Sequence, residues 1–270
     1  MGNTSSISPT TLTLTLVDNK RQAEQRLHDA EALDFYRAEC TDDERNLSAR
    51  RRQVYAAQSI SPKDAVEYQK ILHDALPRLP LRLRTELTDV HVVALLPSAD
   101  GGMPHTRPPQ VICYPMISQL SSLTTLTHEL WHVHQRVHAE KWNAVFRALG
   151  WTPWDGRLPS YLETNRRFNP DTIDVPLWIY NNTWVPIPIF NDIALPNLSD
   201  VTIWFYHVKE QYHLKKIPVE LEASYPGLPH SAYEHPREMS AYALAEPDVY
   251  PRAAHLFSSQ LARPLGNVMK

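Results

Sequence analysis

The stretch that most constrains this chain is Thr127-His128-Glu129-Leu130-Trp131-His132. It reads H-E-x-x-H inside a run with helical periodicity. On a helix, residues four apart stand one turn above each other, so the two imidazoles share a face with the carboxylate beside them. That arrangement suits a zinc ion and an activated water. Leu123, Leu126, Leu130, Val133 and Val137 recur at steps of 3, 4, 3 and 4. At about 100° per residue they form one apolar stripe. His128 and His132 project almost opposite it, so the stripe docks in the core while the imidazoles face a cleft. Glu129 lies between the two faces, placed as a base toward a metal-bound water.

Composition bounds the alternatives. The chain has 270 residues, 43% hydrophobic and 21% charged, which is globular usage and enough for a sizeable core. Its net charge of −3 gives no global basicity to suggest a nucleic-acid partner. Cys40 and Cys113 are its only cysteines; there is no C-x-x-C, so a metal must find other ligands. No apolar run reaches membrane-spanning length and no signal peptide follows Met1, so the expected compartment is cytoplasmic. Met1-Gly2-Asn3-Thr4-Ser5-Ser6 matches the N-myristoylation acceptor pattern. Without a second signal, an acyl chain at Gly2 would give only weak membrane association.

The pattern along the chain predicts an α+β fold in one compact unit. Residues 1–20 hold a tail and a strand, Thr11 to Val17 alternating Thr and Leu as an edge. Residues 21–78 form a helical layer. Thr41 or Asp42 is a candidate cap for a basic helix through Arg50, Arg51 and Arg52, which read as a solvated face; Ser61-Pro62 opens another helix. Residues 79–150 contain strands at Val90–Leu96 and Val111–Tyr114, then the motif helix from about Ser121 to Ala139. Residues 151–230 contain strands without a clear helix. There Asn181-Asn182 turns a hairpin, and Pro186 and Pro188 mark its second arm as an edge or bulged strand. Residues 231–270 close with helices at Pro236–Glu246 and Pro251–Ala262.

The motif helix resembles that of the zincin metallopeptidases. The resemblance covers His128–His132 and one downstream segment. It implies a small twisted sheet packed on the motif helix; residues 151–230 have no place in that pattern and read as an insertion, a candidate cap over the cleft. It also implies that a peptide or protein substrate lies extended along an edge strand near Pro109 to Tyr114, and that a zinc ion has three protein ligands and an open position.

His138 and Glu238 compete as third ligand. His138 has the outer spacing of the metzincin pattern, but Gln135 stands where a turn-making glycine would be needed, and a continuing helix points His138 elsewhere. Glu238, in His235-Pro236-Arg237-Glu238-Met239-Ser240-Ala241-Tyr242, resembles the gluzincin second motif, with Glu234 as its substitute. The separation, 238 − 132 = 106, requires an insertion. A Tyr or His beside the third ligand commonly stabilises the oxyanion in that family, which makes Tyr233, His235 and Tyr242 candidates. His134, near the stripe, reads as packed or bonded to backbone. His105, in a Gly/Pro-rich loop, reads as solvent-exposed, the alternative being that it approaches the cleft from the edge-strand side.

The expected function is a zinc metallopeptidase, an endopeptidase in which Glu129 moves the proton. The competing readings are a catalytically inactive binding scaffold and a zinc hydrolase of a non-peptide amide or ester. An intact Glu129 argues against the scaffold, which has no need of a base.

Overall fold

The computed structural model describes residues 11–263; the Gly2 myristoylation pattern lies outside them. Helices and strands are mixed along the chain, as the α+β reading expects. In order they are β1 (Thr13–Leu16), α1 (Lys20–Asp34), α2 (Tyr36–Asp42), α3 (Glu44–Arg50), α4 (Pro62–Ala75) and α5 (Leu81–Glu86). Then come β2 (Asp89–Ala94), β3 (His105–Arg107), β4 (Val111–Tyr114), α6 (Leu123–Val137) and α7 (Ala139–Ala148). The second half contains β5 (Trp151–Pro153), α8 (Ser160–Thr164), β6 (Trp178–Tyr180), β7 (Trp184–Phe190), β8 (Val201–His207) and β9 (Tyr212–Leu214). The chain closes with α9 (Val219–Ser224), α10 (Pro236–Ala245) and α11 (Pro251–Leu261).

The first sheet has the order β1-β2-β4-β3. β1 and β4 lie parallel to β2, and β3 is antiparallel to β4. Because side chains alternate across a strand, each face has its own partner. Leu14, Val90, Val92, Ile112 and Tyr114 join Leu126, Leu130 and Val133 of α6 in the main core. Val93, Val111 and Cys113 pack with Ala23 and Leu27 of α1 on the other face. β1 is an edge, as its alternation predicts. Val111–Tyr114 is not: β4 is interior, held between β2 and β3, and the edge beside the site is β3. β3 is only three residues long, between Pro104 and Pro108, and gave no strand signal within a Gly/Pro-rich loop.

The second sheet, β5 to β9 in sequence order, is antiparallel throughout. Asn181 and Asn182 take φ of 46° and 52°, the left-handed pair that a two-residue hairpin turn needs. β7 is interior by order, yet only Tyr180 of β6 pairs with it, at Trp184. Beyond that point the 165–167 segment runs beside it, with Arg167 donating to the Pro188 carbonyl and Phe190 to that of Asn165. Pro186 and Pro188 share the parity of Phe190, so their missing N–H groups face this side and cost no β8 ladder bond. One face of the sheet, with Trp151, Trp178, Tyr180 and Phe205, belongs to the same core as α6. The other packs Val185, Ile187 and Ile189 with Leu158 and Leu162.

Two further differences concern helices. The 151–230 region contains the short helices α8 and α9. The basic helix is capped by Asp43, whose side chain accepts from the Asn46 N–H. Arg51 and Arg52 are exposed, but Arg50 turns inward, donating to Asp100 at 3.1 Å and to the Phe168 carbonyl at 3.0 Å. No helix among the described residues is long and apolar enough to cross a membrane.

Candidate metal centre

Ser122 starts α6, its hydroxyl accepting the N–H of Thr125 at 3.2 Å. The helix continues through Gln135 and ends at His138, whose φ of −114° and ψ of 43° break it. Leu126, Leu130 and Val133 are fully buried and Leu123 packs partly buried against them, so most of the apolar stripe docks as its spacing implies; Val137, the last residue of the helix, is exposed. α10 begins at Pro236, which has no N–H to lose at a helix start, and carries Glu238 in its first turn. Ser240 and Ala241 are small and fully buried, which lets α10 lie close against α6.

This packing brings His128, His132 and Glu238 together. The two Nε2 atoms are 3.0 Å apart, and each lies 3.4 Å from Oε2 of Glu238. Ligands about 2.0–2.2 Å from a tetrahedral zinc are about 3.3–3.5 Å from one another. The two 3.4 Å separations match one face of such a polyhedron and the 3.0 Å one is slightly short of it; His128 and Glu238 line the cleft, while His132 is buried behind them. Without a cation, three electron-rich atoms at this spacing repel unless a proton sits among them.

Surrounding groups fix the orientation of this cluster. Gln135 donates from Nε2 to the Arg237 carbonyl and to Ser240 Oγ, both at 3.0 Å. Its Oε1 is thereby turned to accept from Nδ1 of His132 at 2.9 Å. With the proton on Nδ1, the Nε2 lone pair of neutral His132 points at the cluster, as a metal-ligating imidazole requires. Asn169 donates to the other oxygen of Glu238, Oε1, at 3.0 Å. Burial would raise the Glu238 pKa, but His132 and His128 hold it well below the usual carboxylate range. For His132, burial pulls downward while the carboxylates of Glu238 and Asp171 push it up to about 10.

Glu129 is buried, and its Oε2 has no hydrogen-bond partner among the described residues. Burial, with the carboxylates of Asp171 and Glu238 nearby, holds its pKa well above the usual range against the pull of His132. It faces a cleft of about 570 Å³ that also exposes His128, Asn169, Asp171, Glu238 and Tyr242.

The other candidates separate clearly. Tyr242 lines the cleft and meets His128 edge-on at 4.8 Å between ring centres. Tyr233 does not: it is buried and donates its hydroxyl to the Tyr225 carbonyl at 2.6 Å. His235 is the N-cap of α10, accepting the Arg237 N–H at Nδ1 and donating from Nε2 to the Val175 carbonyl. Burial and neighbouring Arg237 pull it down to about 3. Both are structural because packing of the preceding turn aims them inward. Glu234 pairs with Arg167 and accepts from Asn169 at 3.2 Å, outside the cluster.

His138 donates to the Glu86 carbonyl at 3.0 Å, away from His128 and His132. With Glu86 and His134 it forms the other His/carboxylate group close enough for a metal among the described residues. There, however, Glu86 already holds Arg82 at 2.7 Å and Lys141 at 3.0 Å. His134 is buried and bonded to side chains, donating to Glu86 and accepting from Trp142 Nε1 at 2.9 Å. That group reads as an ion-pair hub tying α5 to α6 and α7.

Sequence reasoning missed Asn169, Asp171 and the bonding role of Gln135, and it favoured a solvated loop position for His105, which instead lines the cleft. His105 is 2% exposed rather than solvated, with Nε2 2.8 Å from the Tyr55 hydroxyl. Burial lowers it, but Cys113, Asp100 and Asp171 push it up to about 9. Asn-x-Asp in a Pro-rich loop is an ordinary turn signal, so nothing local marked 169–171 as part of the site. Comparison of the chain with protein-family models, with curated proteins and with solved structures finds no match.

Proposed function

We propose that this chain is a zinc-dependent hydrolase of peptide or related amide bonds. The reading rests on one observation above others: His128, His132 and Glu238 offer three ligand atoms at 3.0–3.4 Å spacing beside the buried Glu129 carboxyl, whose Oε2 has no hydrogen-bond partner among the described residues. A structural zinc site is closed by four protein ligands, whereas a catalytic one keeps a position open. A bound zinc supplies a Lewis acid that lowers the pKa of a water and polarises a carbonyl.

The chain's own residues do the rest. Gln135 and Asn169 orient His132 and Glu238. Glu129 accepts a proton from the attacking water and returns it to the leaving nitrogen. Its surroundings favour the neutral form, which suits the return; ionising it near neutral pH calls for a cation close by. Tyr242 is the one candidate donor of the three that borders the cleft, positioned to stabilise charge developing on a carbonyl oxygen.

The test is turnover of a mixed peptide library by the zinc-loaded protein, its chelated form and Glu129→Gln. The proposal expects cleavage only in the first, with zinc still bound in the variant. Zinc bound tightly with no turnover of peptides or small amides would favour a binding scaffold instead.

A further inference from the structure

We infer that the cleft takes compact substrates, a short peptide or a small amide, and not a long polypeptide laid along the sheet edge. This deepens the hydrolase reading above and rests on it. Strand addition needs outward-facing N–H and C=O groups at alternate residues of an exposed edge. β3 is the edge beside the site, and both outward groups of Thr106 are taken. Its N–H donates to Asp171 Oδ1 at 2.8 Å, and its carbonyl lies 3.4 Å from Arg136 Nη2. Thr106 is fully buried. The next residue of that parity toward the cleft is Pro104, which has no N–H. Just before Pro104, the Met103 carbonyl accepts from His105 Nδ1 at 3.1 Å.

The segment covering this edge is firmly anchored. Asn169 donates to Glu234 and Glu238, the Pro170 carbonyl accepts from Arg136, and the Asp171 carbonyl accepts from Arg237 at 3.0 Å. Freeing Thr106 would break contacts that also orient Glu238. What remains open is the cleft itself, about 570 Å³, within the roughly 300–1,000 Å³ typical of small-ligand sites. A substrate is thus held by its ends and side chains against the cleft wall and not by a backbone ladder.

The experiment is kcat/KM for the zinc-loaded protein on one peptide sequence lengthened symmetrically from three residues to twelve. We expect a gain of less than about threefold beyond four residues. Each ladder bond is worth up to about tenfold, so a steady rise exceeding about tenfold, or cleavage of unfolded casein as fast as the tripeptide, overturns the inference while leaving the hydrolase reading intact. Binding of hydroxamate-capped dipeptides and octapeptides to zinc-loaded Glu129→Gln gives a readout without turnover: affinities within about threefold support the inference, and a tenfold preference for the octapeptide overturns it. No hydrolysis at any length with zinc bound overturns both.

Discussion

Gln135 accepts the Nδ1 proton of His132 at 2.9 Å while its amide nitrogen is anchored on α10, through the Arg237 carbonyl and Ser240. One side chain thus sets the tautomer of a candidate ligand and fastens together the two helices that carry the cluster. Removing such an outer contact typically weakens a metal site about 10–100-fold. Gln135→Leu should therefore weaken zinc binding by that order, read by chelator competition. It should also cost about 1–3 kcal/mol of stability, because it removes buried hydrogen bonds. Unchanged zinc affinity at reduced stability would make Gln135 a helix fastener alone.

Zinc uptake should release protons and tighten as pH rises. In the metal-free chain the Glu238 and Asp171 carboxylates, opposing burial, raise His132 to about 10, so its Nε2 carries a proton at neutral pH. Metal and proton compete for that atom, and affinity should rise up to about tenfold per pH unit below 10. The stability sign follows from linkage: a folded pKa above the unfolded value stabilises fully below about 6.5 and is lost as pH climbs through 10. Calorimetry in buffers of different ionisation enthalpy measures the released protons; pH-independent uptake would contradict this assignment.

The two tyrosines near Glu238 should behave oppositely. Tyr242→Phe should lower kcat by about 10²-fold or more, as loss of an oxyanion donor does, and leave zinc affinity unchanged. Tyr233→Phe should leave kcat alone and lower stability by about 1 kcal/mol, through loss of its bond to the Tyr225 carbonyl. Paired kinetics and thermal denaturation distinguish them.

How far the sequence carried varies from residue to residue. The α6 stripe and the facing histidines were legible because helical spacing alone decides which face docks. Glu238 was legible through the resemblance of its segment to the gluzincin second motif, with Pro236 marking the helix start that puts it in a first turn. Tyr233, His235 and Tyr242 could not be sorted, since their directions depend on how the turn before α10 packs against Tyr225 and Val175. The reading of β4 as an edge failed because β3 is three residues long and flanked by prolines, with no alternation to see. Asp171 and Asn169 were invisible for a related reason: they reach the site from an irregular segment whose path is set by Arg136 and Arg237, remote in sequence.

That segment offers an acid-stability test outside the metal cluster. Asp174 receives both Nη atoms of Arg237, at 2.6 and 2.7 Å. Burial raises its pKa, but the Arg237 pairing outweighs this and brings it down to about 2. A depressed folded pKa contributes stability above the unfolded value of about 3.8, lost as pH falls through 2. The Asp174 side chain is 44% exposed, so solvent screening limits the pair to about 1 kcal/mol. Asp174→Asn should lower the urea midpoint equally at pH 8 and pH 5, with the gap closing below about pH 4. A gap that widens on acidification would contradict the pairing.

The central claim, that His128, His132 and Glu238 hold one zinc ion with a position left open, is tested most directly by anomalous diffraction at the zinc edge from crystals of the zinc-loaded protein. A single strong peak is expected within about 2.3 Å of His128 Nε2, His132 Nε2 and a Glu238 oxygen, with Glu129 near but not bonded. A peak at Glu86, His134 and His138, or a ligand set without Glu238, would contradict it.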